Sequence, residues 1–148
     1  RPRNLLKIIT HCRSFAVNLG RERIEESDIE KGLKAYSLDL ITEADQELTD
    51  VVGKPTDLIY HFIGEGNVFD YQHLTKIINQ VDVGENSIDR IIDFFLYYGF
   101  LGIDMGTDKT RYIFDVGYDM KMFKVLSLKN RDKLRYVMNP AFNPGLNL

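Results

Sequence analysis

The sequence predicts an α+β fold, mainly helical, in two parts: a helical segment over residues 1–53 and a second domain over 54–148 with a small β-hairpin. Three observations carry this. Apolar residues recur at three- and four-residue spacing in most segments before Gly99. Two β-type runs flank the turn-forming stretch Gly106-Thr107-Asp108-Lys109. Gly53-Lys54-Pro55 interrupts the chain between two separately amphipathic stretches, and is expected to act as a hinge.

Leu5, Ile9, Cys12, Ala16 and Leu19, widened by Ile8 and Phe15, predict an amphipathic helix from about Pro2 to Leu19, stopped by Gly20. Ser27-Asp28-Ile29-Glu30 reads as a capping box opening a second helix. Its stripe is Ile29, Leu33, Tyr36 and Leu40, and it runs towards Leu48. Pro55 is expected to open a third helix with Leu58, Ile59, Phe62 and Ile63 inward, and Gly64-Glu65-Gly66-Asn67 is a loop. Asp70 caps a fourth helix carrying Leu74, Ile77, Ile78 and Val81. After Val83-Gly84-Glu85, Asn86 or Ser87 caps a fifth, with Ile88, Ile91, Ile92, Phe95 and Leu96 buried and Gly99 ending it. Phe100–Met105 and Thr110–Val116 read as the strands of the hairpin. Met122, Phe123 and Leu126 suit a helix or another strand. Leu134–Met138 alternates like a strand, and Asn139-Pro140 ends it.

From Pro55 the order is helix, loop, helix, tight turn, helix, hairpin. That is the order of a winged helix-turn-helix, with residues 87–98 in the place of the recognition helix.

Composition and charge narrow the function. Apolar residues make up 44% and charged residues 28%, ordinary for a globular chain. The longest strongly apolar run, Phe94–Ile103, is ten residues, too short to span a bilayer, so no membrane role is expected. A single cysteine, Cys12, allows no internal disulfide and suits a reducing, cytoplasmic setting. Residue 1 is Arg rather than Met, from which a piece of a longer protein is expected. Residues 55–119 carry 4 basic and 11 acidic side chains, whereas 120–148 carry 6 basic and 1 acidic.

No catalytic constellation emerges, and no enzyme activity is expected of this segment. Gly53-Lys54 has Leu48 where a Walker A requires its first glycine. Gly64 and Gly66 begin a G-x-G, but Phe69 replaces the third glycine. His11 and Cys12 point about 100° apart on a helix, and His61 and His73 have no cysteine nearby, so no metal site is expected. Glu25, Glu26 and Asp28 read as first-turn charges favoured by the helix dipole.

The outward face of the 87–98 helix presents Asp89, Arg90, Asp93 and Tyr97, with Glu85 before it. Carboxylates there oppose DNA phosphates, so this face is expected to be a protein-contact or intramolecular surface rather than a base reader. The candidates for phosphate contact are Lys109, Arg111, Lys121, Lys124, Lys129 and Arg131.

The start of the chain adds a resemblance. Arg1-Pro2-Arg3-Asn4-Leu5-Leu6, opening an amphipathic helix, resembles the sensor-2 motif of AAA+ and related STAND-type P-loop ATPases. Arg23-Ile24-Glu25-Glu26-Ser27-Asp28-Ile29 is similar to the opening of their next lid helix, with its I-x-x-x-D-I pattern. Tyr136-Val137-Met138-Asn139-Pro140-Ala141-Phe142 resembles the end of a group of bacterial P-loop ATPases of unknown role. The resemblance implies a two-helix lid remnant followed by a winged helix, with a nucleotide-binding core before Arg1. It puts Arg3, with Arg1 beside it, at the sensor-2 position, where a permanently charged guanidinium can bind γ-phosphate oxygens bidentately. ATP and Mg would belong to that upstream core, and no cofactor is expected in this segment. The expected function is a non-catalytic C-terminal module coupling nucleotide state to protein contacts. Its partners would be the upstream ATPase core and a further protein or a second copy. A winged-helix DNA-binding module is the alternative.

Overall fold

The computed structural model describes residues 2–20, 22–106, 109–130 and 133–146, with side chains in the first helix from Lys7 onward. The chain is mainly helical with a small antiparallel sheet. Its elements are α1 (Pro2–Asn18), α2 (Glu26–Val52), a 3-10 turn (Leu58–Phe62), β1 (Val68–Phe69), α3 (Tyr71–Ile78), α4 (Ile88–Tyr98), β2 (Leu101–Asp104), β3 (Thr110–Arg111), a second 3-10 turn (Ile113–Val116), α5 (Met120–Lys129), β4 (Arg135–Met138), a third 3-10 turn (Pro140–Phe142) and α6 (Asn143–Leu146).

α1 packs on α2 through Cys12 and Ala16. The helices approach at Gly32, where an added Cβ would lie 2.4 Å from Cys12 Sγ. That approach fixes the rotation of α2, and the expected stripe is corrected by it. Tyr36 is buried and Leu40 packs partly against the core, but Ile29 and Leu33 are 45% and 40% exposed. Asp28, Gly32 and Ser37 take the inward places instead. The cap is also shifted. α2 starts with Glu25 as N-cap, whose N–H donates to the Asp28 carboxylate at 2.8 Å, so Ser27 lies inside the first turn. Asp28 is fully buried, and its short carboxylate reaches back where Glu30 was expected to.

α2 continues to Val52 and ends at Gly53, whose φ of 88° lets its N–H reach Thr49 O. Ile41, Ala44 and Leu48 lie in the same core as Leu58, Phe62, Phe95 and Phe100, which follow Gly53. α6 packs on this part of α2, and Gly145 N–H donates to Ser37 Oγ at 2.9 Å.

The helix expected after Pro55 is a 3-10 turn. Asp57 adopts a left-handed φ of 58°, and Leu58 N–H donates to Thr56 Oγ1, which starts a tight turn rather than an α-helix. Leu58, Ile59 and Phe62 are buried as expected, but Ile63 is exposed. Phe62 is the centre of an aromatic cluster, edge-on to Phe69, Phe95 and Phe100 at 5.1–5.5 Å.

α3 and α4 start where expected, but α3 ends at Ile78, so Val81 lies beyond it, and Ile88 is only partly buried. Asp70 accepts from His73 N–H, Ser87 accepts from Arg90 N–H, and Gly99 closes α4 at φ 85°. β2 and β3 form the hairpin with Ile103 opposite Arg111, but the second strand is cut short. Tyr112 N–H donates to the Asp115 carboxylate at 2.9 Å, which curls the chain into a 3-10 turn. The segment after Gly117 is the helix α5, capped by Asp119. Phe123 is buried there and Met122 is exposed. β4 is not adjacent to β3. It inserts between β1 and β2, giving the sheet order β1-β4-β2-β3 with every neighbour antiparallel. The short β1 was not anticipated. Residues 105–134 thus form a long excursion, containing β3 and α5, between two strands that lie side by side.

Candidate interaction surface

α4 buries Ile91, Ile92, Phe95 and Leu96. Helical spacing therefore turns Asp89, Arg90, Asp93 and Tyr97 away from the core. The excursion from the sheet brings α5 beside this outward face. Lys124 Nζ lies 2.8 Å from Asp93 Oδ2, and both the hydrogen bond and the charge of Asp93 raise the lysine pKa above its ordinary value, with a smaller contribution from Asp89. Asp89 accepts a hydrogen bond from Tyr71 Oη at 2.7 Å, which ties the N-terminus of α3 to α4. Tyr97, more than half exposed, meets the edge of Tyr118 with ring centroids 6.3 Å apart.

Between these elements is a cleft of about 530 Å³. Its walls come from α3 (Tyr71), α4 (Asp89, Asp93), α5 (Lys124, Leu128) and β4 (Arg135). Ile92, Leu96 and Leu134 line it as buried apolar residues. The arrangement is an apolar floor with charged walls, suited to holding a side chain or a short segment of another molecule. Among the described residues no group of three or more His, Cys, Asp or Glu could hold a metal ion. His73 Nε2 pairs with Glu65 at 2.8 Å, His61 Nδ1 with Gln80, and His11 Nε2 with Asp39. Cys12 is buried.

The expected site residues are thus distributed. Asp89, Asp93 and Lys124 come together at the cleft, with Tyr97 and Arg90 on the same helix. Lys109 is exposed beside the edge strand and Arg111 is half-buried within it. Lys121 and Lys129 are exposed on α5. Arg1 and Arg131 lie outside the described residues, as does the side chain of Arg3 in the first turn of α1. Sequence reasoning missed Tyr71 and Tyr118 as companions of Asp89 and Tyr97. The position of Tyr71, directly after the Asp70 cap, was the available signal.

The described fold is mainly helical α+β with a cleft between α3, α4, α5 and β4, and no helix among the described residues is long and apolar enough to cross a membrane. Residues 1–45 are similar to the family FunZ_C, described as a FunZ-associated C-terminal helical domain. The matched stretch covers α1 and most of α2. No curated protein matches the chain, and no solved structure matches it.

Proposed function

We propose that this chain is a non-catalytic C-terminal regulatory and interaction module of a larger protein, coupling the nucleotide state of an upstream P-loop ATPase core to protein contacts. The match of residues 1–45 to a domain described as C-terminal and helical supports the first half of this reading. The ATPase coupling rests on the sensor-2 resemblance at Arg1 and Arg3. In a lid that moves with nucleotide, such an arginine reports the γ-phosphate through differential contacts in the two states. Arg3→Ala in the chain joined to its ATPase core should lower nucleotide-dependent turnover while leaving the fold intact.

The observation that carries the protein-contact reading is the Asp93–Lys124 ion pair. The helix in the recognition position offers a carboxylate to a neighbouring helix, and Asp89 one turn earlier adds a second. A duplex brought to this face meets like charge, and neither carboxylate releases counterions. The test is titration of a labelled mixed-sequence duplex with the 148-residue chain at physiological salt. Affinity no tighter than the roughly 10⁻⁴–10⁻⁶ M of non-specific binding fits this reading. Tight binding that falls steeply with salt and is lost on replacing Lys121 and Lys129 by Glu would establish the alternative, a winged-helix DNA-binding module. One observation favours that alternative: β1, α3, α4, β2 and β4 follow one another with β4 between β1 and β2, which suits a winged helix whose wing has grown to hold β3 and α5.

A further inference from the structure

We propose that one flank of the α1–α2 hairpin, marked by Ile9, Ile29 and Leu33, is the surface on which this chain docks against an apolar face of the protein body that precedes it. This rests on the reading of the chain as a C-terminal module of a larger protein, and it names the surface that joins the two.

The hairpin has two unlike flanks. Cys12 meets Gly32, while Lys7 pairs with Glu43 at 2.9 Å and His11 with Asp39 at 2.8 Å, so the helices run antiparallel. Counted from Cys12, helical spacing turns His11 and Lys7 about 100° and 140° to one side and Ile9 about 60° to the other. Counted from Gly32, it turns Ile29 and Leu33 about 60° and 100° in the same sense as Ile9. In an antiparallel pair, equal senses of turn fall on the same flank. The ion pairs thus occupy one flank, and Ile9, Ile29 and Leu33 share the other, 47%, 45% and 40% exposed.

Single exposed apolar side chains need no partner. These three differ in two ways. They lie along both helices of one flank, and Ile29 and Leu33 begin a stripe that the chain itself goes on to cover. Further along that stripe Tyr36 is buried and Leu40 packs partly against the core. The start of the stripe is left bare.

The family match indicates what completes it. The match spans residues 1–45, which is the hairpin without the core-bound end of α2, and its description is of a C-terminal helical domain. The matched unit is therefore the part that carries the bare flank, and a C-terminal domain has the rest of its protein before it. α1, the first helix of that unit, is held to this chain by Cys12 and Ala16 alone among its described buried side chains. An apolar surface of the preceding body laid along Ile9, Ile29 and Leu33 would bury what the chain leaves open, in the manner of an interface between domains.

The experiment compares maleimide labelling of Leu33→Cys in the 148-residue chain and in the longer protein that contains it, with Thr42→Cys as the control. Thr42 is exposed and nine residues further on, about 180° around α2 from Leu33. Cys12 is buried, so its own labelling is slow. A docked face that is open no more than about a tenth of the time slows Leu33→Cys labelling about tenfold in the longer protein. Thr42→Cys should label at one rate in both. Adding Ile29→Asp to Leu33→Cys should return the rate in the longer protein towards that of the 148-residue chain. The same change should leave the unfolding midpoint of the 148-residue chain in place, because the side chain is exposed there. Equal Leu33→Cys rates in the two proteins overturn the proposal, as does equal slowing at Leu33→Cys and Thr42→Cys, or slow labelling that Ile29→Asp fails to relieve. Labelling of the 148-residue chain that slows as its own concentration rises overturns it too, and assigns the face to a second copy. If the rates are equal and Arg3→Ala still lowers nucleotide-dependent turnover, the docking face alone falls. If neither responds, the reading as a coupled C-terminal module falls with it.

Discussion

Gly32 decides how closely α1 and α2 can approach. A Cβ at this position would meet Cys12 Sγ at 2.4 Å and the Cys12 backbone nitrogen at 2.9 Å. A sulfur can yield by rotating, but a backbone atom moves only with its helix. Gly32→Val should therefore destabilise the chain by about 1–3 kcal/mol, the usual cost of overpacking, measured by denaturant unfolding. Asp45 shows the opposite sign. Burial, with the charge of Asp57 adding to it, raises its pKa above the ordinary carboxylate value, and its Oδ1 is buried without a hydrogen-bond partner. A carboxyl group whose pKa is raised on folding favours the folded state below its unfolded pKa, and that benefit disappears as the pH rises through the folded pKa. Wild-type stability should thus increase on acidification just above the ordinary carboxylate range. Asp45→Asn should be more stable than wild type at pH 7 and lose that advantage at acid pH. Thermal unfolding across pH 3–7 checks this, and a constant difference between the two proteins would refute it.

At the scale of elements, local rules and tertiary contacts divide the structure between them. The caps at Asp70, Ser87 and Gly99 were legible because a cap depends on residues within one turn of itself. Ser87→Ala should remove the hydrogen bond to Arg90 N–H and cost about 1 kcal/mol, read from the shift in the unfolding midpoint; no shift would mean that packing of α4 alone fixes its start. The orientation of α2 was not legible. Ile29 and Leu33 match an inward stripe by periodicity, but contact at Gly32 turned Asp28, Gly32 and Ser37 inward instead. The place of β4 was not legible either, since it pairs with β2 across the whole excursion 105–134. The same holds for the cleft. Asp89, Asp93 and Tyr97 could be read from helical spacing, but their meeting with Lys124 and Tyr118 needs a connection that no local pattern encodes. The curl after β3 was within reach, because Asp115 three residues after Tyr112 is capping chemistry. Gly102 completes this region. Tyr112 lies on it so closely that a Cβ would meet the ring at 2.7 Å, and Tyr112 Oη donates to Met138 O across to β4.

Across the whole molecule, the core does not stop where the chain is punctuated. Ile41, Ala44 and Leu48 precede Gly53, and they share one hydrophobic cluster with residues from Leu58 to Leu146. Lys54, just past Gly53, is ion-paired with Asp82, which ties the start of the segment after α2. α1 is held differently. Among its described side chains only Cys12 and Ala16 are buried, and Ile9 and Val17 are exposed. The connection from Asn18 to Glu26 has an exposed stretch at 22–25. Local opening is easiest where few apolar contacts must be broken. A protease of broad specificity should therefore cut first within residues 20–25, leaving a resistant fragment that begins near Glu26 and runs through β4. Mass spectrometry of the early products identifies that fragment. First cleavage at 53–57, yielding two halves that each resist further digestion, would show instead that Gly53-Lys54-Pro55 is the working hinge and that the second half of α2 can leave the core. The two outcomes also bear on coupling: a joint at 20–25 lets α1 move alone against a rigid remainder, and a joint at 53–57 moves α1 and α2 together as one lid.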